Sequence, residues 1–155
     1  VLPAGPTVVD VMANAAFYYG ALRMLSSDER PVWTKMSFDA AQSNFTEGAR
    51  RGADAVFYWP GMGEVPWDEL LLRRLLPMAD EGLARWGVSV GVRDKYLSIV
   101  EERCKGRVNG ASWQVAAVQA LADRGLDRQR ALTEMLRLYA DGMLANAPVH
   151  TWEGP

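Results

Sequence analysis

Along most of the chain, apolar positions recur at three- and four-residue steps, the period of α-helices that bury one side. From Val8 to Leu25 (VVDVMANAAFYYGALRML) nearly every position is apolar or small, broken only by Asp10, Asn14, Gly20 and Arg23, which predicts a helix buried on most sides. Thr7 is placed to cap it, behind an extended entry in which Pro6 turns its predecessor away from the helical region. Asp10 and Asn14 are four apart and share a face. Two polar groups on so apolar a helix need partners, either a structural hydrogen bond to a neighbouring loop or a place in a polar cleft.

Ser26 to Met36 holds turn residues, a capping pattern and Pro31, and predicts a turn with a short helix. A second helix follows from Ser37 to Gly52 (SFDAAQSNFTEGARRG). Ser37 is its N-cap, Asp39 sits where the macrodipole favours an anion, and Gly52 is its stop. Phe38, Gln42, Phe45 and Ala49 fall on one side, expected to face a core. Ser37, Ala41, Asn44, Gly48 and Arg51 fall on another, with Arg50 between them. Glycine in a helix interior costs about 1 kcal/mol against alanine. Gly48 therefore marks a place where something, another helix or a ligand, approaches the backbone.

Beyond Gly52, Val56–Trp59 has strand propensity, and Pro60-Gly61 with Gly63 has turn chemistry, which together predict a small hairpin. Pro66 then opens a helix at its first position, with Asp68 and Glu69 in the first turn, Pro77 as a kink and Gly87 as the stop after Trp86. Val88 to Gly106 predicts a further helix with Val92, Tyr96, Ile99 and Val100 inward. Asn109 caps one from about Gly110 to Arg124 with Trp113, Ala117 and Leu121 on one face. Asp127 caps the last, to about Asn146, where Leu132, Met135, Leu138 and Tyr139 recur at helical spacing; the tail APVHTWEGP reads as irregular. The fold class is mainly α: a multi-helix, bundle-like single domain over residues 1–155, with five or six helices and one short β-hairpin. It has no internal repeat or heptad run.

Composition narrows the chemistry. The 155 residues are 49% hydrophobic and 23% charged, an ordinary globular composition. A net charge of -2 from 17 basic and 19 acidic residues, well mixed, carries no electrostatic footprint for nucleic acid or an anionic membrane. One cysteine, Cys104, excludes an internal disulfide and, with the single His150, leaves no cluster for a structural zinc, so no metal site is assigned. No run reaches the length of a membrane span and the first residues lack a signal-peptide pattern; a cytoplasmic location is expected. The chain opens Val1-Leu2-Pro3 without methionine, which points to a piece of a longer polypeptide.

Familiar catalytic patterns are poorly matched. Gly61 and Gly63 precede a helix but lack the Lys-Ser/Thr of a phosphate loop. Pairs such as Glu101-Glu102 and Asp68-Glu69 sit on solvated helix faces rather than across a cleft. Cys104 lacks a nearby histidine, and an inert, buried thiol is the simpler reading. What remains is a set of polar groups near helix beginnings and small faces: Asn44 with Arg50 or Arg51, and Arg103 with Asn109, Trp113 and Gln114. Arginine binds carboxylates and phosphates bidentately, and an aromatic beside an amide holds a planar ligand.

Three stretches, in order and with similar spacing, resemble one family, the type 2 glutamate-cysteine ligases or carboxylate-amine ligases. GPTVVDVMANAAFYYGALRML resembles the segment after that family's catalytic sheet. Asn44-Phe-Thr-Glu-Gly-Ala-Arg50-Arg-Gly52, with the hairpin and Val65-Pro66 after it, looks like its Asn-x5-Arg-x-Gly helix and downstream Val-Pro helix. Asn109-Gly-Ala-Ser-Trp-Gln114 is similar to its Gly-Ala-x-x-Gln segment, and Pro148-Val-His-Thr-Trp152 to the ending of its longer actinobacterial-type members. The resemblance spans essentially the whole chain but only the C-terminal portion of such an α+β ligase. It implies ATP-dependent formation of a γ-glutamyl amide through an acyl phosphate, as in low-molecular-weight thiol biosynthesis. ATP and Mg2+ would be held mainly by an upstream catalytic domain, which would be this segment's partner along with glutamate and an amine such as cysteine.

No catalytic residue is assigned within these residues, and the isolated piece is expected to be inactive. By the same resemblance Asn44 and Arg50 would face the active-site funnel, with Asn109 and Gln114 behind them as substrate- or phosphate-facing groups. Phe45, Thr46 and Glu47 depart from the family pattern, in which these positions are often basic or aromatic. Two other readings stand beside this one: a non-catalytic helical protein-interaction domain, and a complete small enzyme using Cys104. Oligomeric state is open, a homo-oligomer included.

Overall fold

In the computed structural model, residues 5–154 are described. In chain order they form α1 (Val8–Ser26), a 3-10 turn (Val32–Thr34), α2 (Phe38–Arg51), β1 (Val56–Trp59), β2 (Gly63–Pro66), α3 (Trp67–Leu70), α4 (Leu76–Arg85), α5 (Val90–Lys105), α6 (Gly110–Asp123), α7 (Arg128–Ala145) and a 3-10 turn (Val149–Thr151). The architecture is mainly helical with one antiparallel hairpin. It sorts into two compact units, a terminal one built from the chain up to Ala15 and from Ser98 onward, and a central one from Ala16 to Leu97.

In the terminal unit α6 and α7 pack through the faces their periodicity marks. Trp113, Ala117 and Leu121 from α6 meet Ala131 and Met135 from α7 and Val149 from the tail, with Leu138, Tyr139 and Trp152 around them. The three aromatic rings stack edge to face, Trp152 lying 5.2 Å from both Trp113 and Tyr139 between ring centres. Trp152 sits so close to α7 that a Cβ at Gly142 would come within 2.6 Å of its ring. The tail, read as irregular, is a short turn that seals this core, with Val149 fully buried. Of the residues that recur at helical spacing on α7, Leu132 is exposed. Ala131 takes the inward position, one residue and about 100° back round the helix.

In the central unit β1 pairs with β2 from Val56 opposite Pro66 to Trp59 opposite Gly63, as the turn residues predict. Against this hairpin α2 lays its small face, not its aromatic one. A Cβ at Gly48 would stand 3.2 Å from the Phe57 ring, so the neighbour that the glycine admits is a strand side chain. Phe38 and Phe45 are each 80% exposed, and α2 buries no residue at all. The expectation that its Phe side faces a core is therefore overturned, because the hairpin fits only where α2 is narrow.

Pro66 ends β2 and precedes the first helical residue, Trp67, one position later than expected; its φ of -55° and ψ of 141° are extended rather than helical. Trp67 Nε1 donates to the Ala53 carbonyl at 2.6 Å and anchors this start. A π-helical turn over Leu71–Leu75 joins α3 to α4 just before Pro77. Proline donates no amide hydrogen and crowds the preceding turn, and widening that turn accommodates it.

Helix α1 is less buried than its composition predicts, with Val8, Val11, Met12, Tyr18, Tyr19 and Leu22 exposed. It makes one very close crossing: a Cβ at Gly20 would lie 2.2 Å from the Ala79 carbonyl oxygen of α4, and one at Gly82 1.9 Å from that of Gly20. Two glycines and an alanine let the backbones touch, so large α1 side chains further round the helix are left outside. On α5 the inward set is Leu97, Ile99, Val100 and Cys104, whereas Val92 is exposed and Tyr96 half-buried, correcting the expected face at its first turn.

Candidate functional site

The polar residues singled out from sequence fall in three places. The first is in the terminal unit, where Thr7 caps α1. Its Oγ1 accepts from the Asp10 amide at 3.1 Å and donates to Asp10 Oδ2 at 2.7 Å. That oxygen also accepts from the Val149 amide at 3.1 Å, while Asp10 Oδ1 accepts from Arg103 Nη1 at 3.3 Å. The other arm of the guanidinium, Nη2, donates to Asn14 Oδ1. Burial pushes the Arg103 pKa down, and the Asp10 charge opposes that shift.

The partners of Asp10 and Asn14 are a structural arginine and, for Asp10, the C-terminal turn. Asp10 is wholly buried with both oxygens occupied, so it clamps the start of α1 to the end of α5 and to the tail. A second link runs parallel to it, the Val9 amide donating to Asn146 Oδ1 at 3.1 Å. Asn146 closes α7 with a left-handed backbone, φ 52° and ψ 30°. Sequence spacing grouped Arg103 with Asn109, Trp113 and Gln114; the structure gives it to Asp10 and Asn14 instead. These partners lie 93 and 89 positions away, beyond any local pattern.

The second place is α2. Asn44 Nδ2 donates to the Tyr58 carbonyl at 2.8 Å and its Oδ1 accepts from the Tyr58 amide at 2.8 Å. The side-chain amide thus acts as a short extra strand on the free edge of β1, since Tyr58 lies opposite Glu64 across the hairpin. Arg50 is exposed and makes no ion pair or hydrogen bond among the described residues, while its neighbour Arg51 pairs with Glu47 at 2.7 Å. Six residues separate Asn44 from Arg50, which sets them about 120° apart around the helix. They share an element without converging on a point.

The third place is the start of α6. Asn109 Oδ1 accepts from the Ala111 and Ser112 amides, both at 2.9 Å, and Ser112 Oγ accepts from the Asn109 amide at 2.8 Å, a complete capping box. Gln114 is half-buried and its side chain has no hydrogen bond among the described residues. The indole Nε1 of Trp113 is buried without a partner there. Asn109 and Gln114 belong to the terminal unit, and Asn44 and Arg50 to the central one.

Elsewhere, Cys104 is 2% exposed, which suits an inert core thiol and not the accessible thiolate that nucleophilic catalysis needs. Among the described residues no three His, Cys, Asp or Glu side chains group to hold a metal, and no helix is long and apolar enough to cross a membrane. No family model matches the chain, and no curated protein or solved structure matches it significantly.

Proposed function

We propose that this chain is the helical C-terminal portion of an ATP-dependent carboxylate-amine ligase, joining glutamate to an amine, by default cysteine. Two things support the reading. One is the ordered resemblance of three stretches, from Val8 through Asn44–Gly52 to Asn109–Gln114. The other, which carries it on the structural side, is Arg50: an exposed guanidinium with no partner among the described residues, on a helix that also exposes Phe38 and Phe45. An unpartnered, solvent-facing arginine is free to complement a carboxylate or phosphate, and an apolar surface on the same helix is what a severed catalytic domain would leave uncovered.

On this reading Asn44 is a positioning residue. Both of its amide groups are committed to Tyr58, so it holds α2 against the hairpin and thereby sets where Arg50 stands. Asn109 likewise shapes the start of α6 through its cap. Gln114 keeps free amide groups and remains a substrate-facing candidate. ATP, bound with magnesium upstream, would supply phosphorylation of the substrate carboxylate, from which the amine displaces phosphate. No residue of this chain is assigned to the metal.

The test is ADP release by the full-length gene product with glutamate, ATP and magnesium, first with cysteine and then with other amines. Amine-dependent release that Arg50→Ala lowers about a hundredfold, roughly 2.7 kcal/mol of transition-state stabilisation, is the expected result. No release with any amine, or a variant as active as the parent, overturns the assignment. It would favour the second reading, a helical protein-interaction domain, to which the exposed Phe38 and Phe45 also point.

A further inference from the structure

The tail that follows α7 closes on itself before it closes on the protein. The amide and hydroxyl of Thr151 both donate to the Pro148 carbonyl, at 2.9 and 2.8 Å. The Trp152 amide donates to the Val149 carbonyl at 3.2 Å, and its indole Nε1 to the Ala147 carbonyl at 2.8 Å. Among the described residues a single hydrogen bond ties this turn to the rest of its unit, from the Val149 amide to Asp10 Oδ2. Its packing rests on two side chains three positions apart: Val149, wholly buried in the core of α6 and α7, and Trp152, seated over Gly142 between Trp113 and Tyr139. A segment that satisfies its own polar groups and presents two apolar anchors and one main-chain donor has the form of a pre-organised ligand.

Two features of the docked tail oppose its docking. The hinge residue Asn146 is turned back with φ 52° and ψ 30°, a left-handed backbone that is disfavoured for any residue with a Cβ. His150 Nδ1 is buried without a partner among the described residues, and lifting the turn returns it to water. Against these stand the apolar anchors and the Asp10 bond. None of the docked contacts depends on the tail belonging to the same chain as its seat. The covalent link through Asn146 and Ala147 contributes proximity alone, so the tail of a second copy, with its own hinge opened, makes the same contacts.

We propose that the tail is a detachable latch, and that its seat on α6 and α7 is a recognition site for a Pro-Val-x-x-Trp turn, filled by the chain's own tail or by that of a second copy. The tether decides which. A short linker holds its ligand at an effective concentration on the order of millimolar, so the closed monomer prevails in dilute solution and tails exchange between copies only as the protein approaches that concentration. Removing the competition from the chain's own tail exposes the affinity of the seat directly. The inference is independent of the ligase proposal and has no activity readout.

The experiment is a complementation between two variants of the 155-residue chain. Gly142→Leu fills the notch, since a Cβ there already comes within 2.6 Å of the Trp152 ring, and leaves a latch without a seat. Leucine is also the better helix former, which favours folding of that variant. Trp152→Ala leaves a seat without a latch. With helix content verified by circular dichroism, each variant alone is expected to sediment as a monomer at micromolar concentration and the equimolar mixture as a one-to-one complex, which an added peptide of residues 147–154 dissociates. Amide exchange in the parent needs no core substitution: the Val149 amide, bonded only while the tail is docked, is expected to exchange about tenfold or more faster than amides in the middle of α6, because the latch opens without the core. Asn146→Ala and Asn146→Gly both lose the Val9 bond and differ in how readily they turn left-handed, so Val149 is expected to exchange about fivefold or more faster in the alanine variant. A mixture of folded variants that stays monomeric, a Val149 amide as protected as the middle of α6, or equal exchange in the two hinge variants overturns the proposal.

Discussion

Helices α2 and α6 read alike in sequence, each with a good N-cap and an apolar stripe that carries an aromatic, yet they pack in opposite senses. In α6 that stripe is the buried one: Trp113, Ala117 and Leu121 meet α7 and the tail. In α2 the stripe of Phe38 and Phe45 faces outward and the small face, with Asn44 and Gly48, is the contact. The reason lies in the neighbour. Helix α6 is followed after a short turn by another amphipathic helix, and two apolar faces at that spacing bury each other. Helix α2 is followed by a hairpin whose edge strand needs a hydrogen-bonding partner, and Asn44 supplies it. Periodicity says which residues share a side; the adjoining element selects the side that is covered.

That contrast has measurable consequences, the largest in the terminal unit. Asp10→Ala would leave the buried Arg103 guanidinium without its carboxylate and free the tail at Val149. A loss of about 3–5 kcal/mol is expected in denaturant unfolding, and a cost under about 1 kcal/mol would show that the clamp is dispensable. Trp113→Ala should cost about 3–5 kcal/mol by removing the ring that Tyr139 and Trp152 pack against. Phe45→Ala, the equivalent truncation on α2, should stay within about 0.5 kcal/mol. Equal losses from the two truncations would break the comparison, since they would mean that the α2 stripe is covered.

A smaller effect is expected at the α2 contact. Asn44→Ala removes both bonds to Tyr58, and about 1–3 kcal/mol together with faster amide exchange at Tyr58 is expected. Protection at Tyr58 equal to the parent's would refute the idea that the side chain serves as a strand partner.

The smallest concerns acid. Its hydrogen bond to Arg137 holds the Glu134 carboxyl below its ordinary range, so its folded-state pKa lies below its unfolded one. That contribution is present above the unfolded value and fades as pH falls through the folded one. Glu134→Gln should therefore lower stability slightly at neutral pH, leave it unchanged in acid and so flatten the acid side of the curve, the effect being small because the pair is solvent-exposed. A loss at neutral pH as large as that of Asn44→Ala would contradict this.

The residues named here divide by how far their partners lie along the chain. Caps and turns were set locally: Ser37, Asn109 and Asp127 each accept hydrogen bonds from the amides just ahead of them. The Pro60–Gly63 turn makes the hairpin, and Gly87 and Gly125 take positive φ near helix ends. Candidate site residues were less accessible to such reasoning. Asn44 stands out as a polar group on a small helix face and Asn109 as a cap, but the same residue types serve ligands and backbone alike, and only the partners distinguish these uses. Asp10 and Asn14 need partners on so apolar a helix, yet the partner they share, Arg103, lies 93 and 89 positions away.

From its sequence alone this protein is a chain of capped amphipathic helices with one hairpin, because caps, turns and periodicity act over a few residues and bring their own partners. Tertiary structure decided which faces close, that Gly20 and Gly82 admit a backbone contact, and that Asp10 clamps the tail. Each of those depends on what a distant segment offers in shape and hydrogen-bonding groups. No local pattern carries that information.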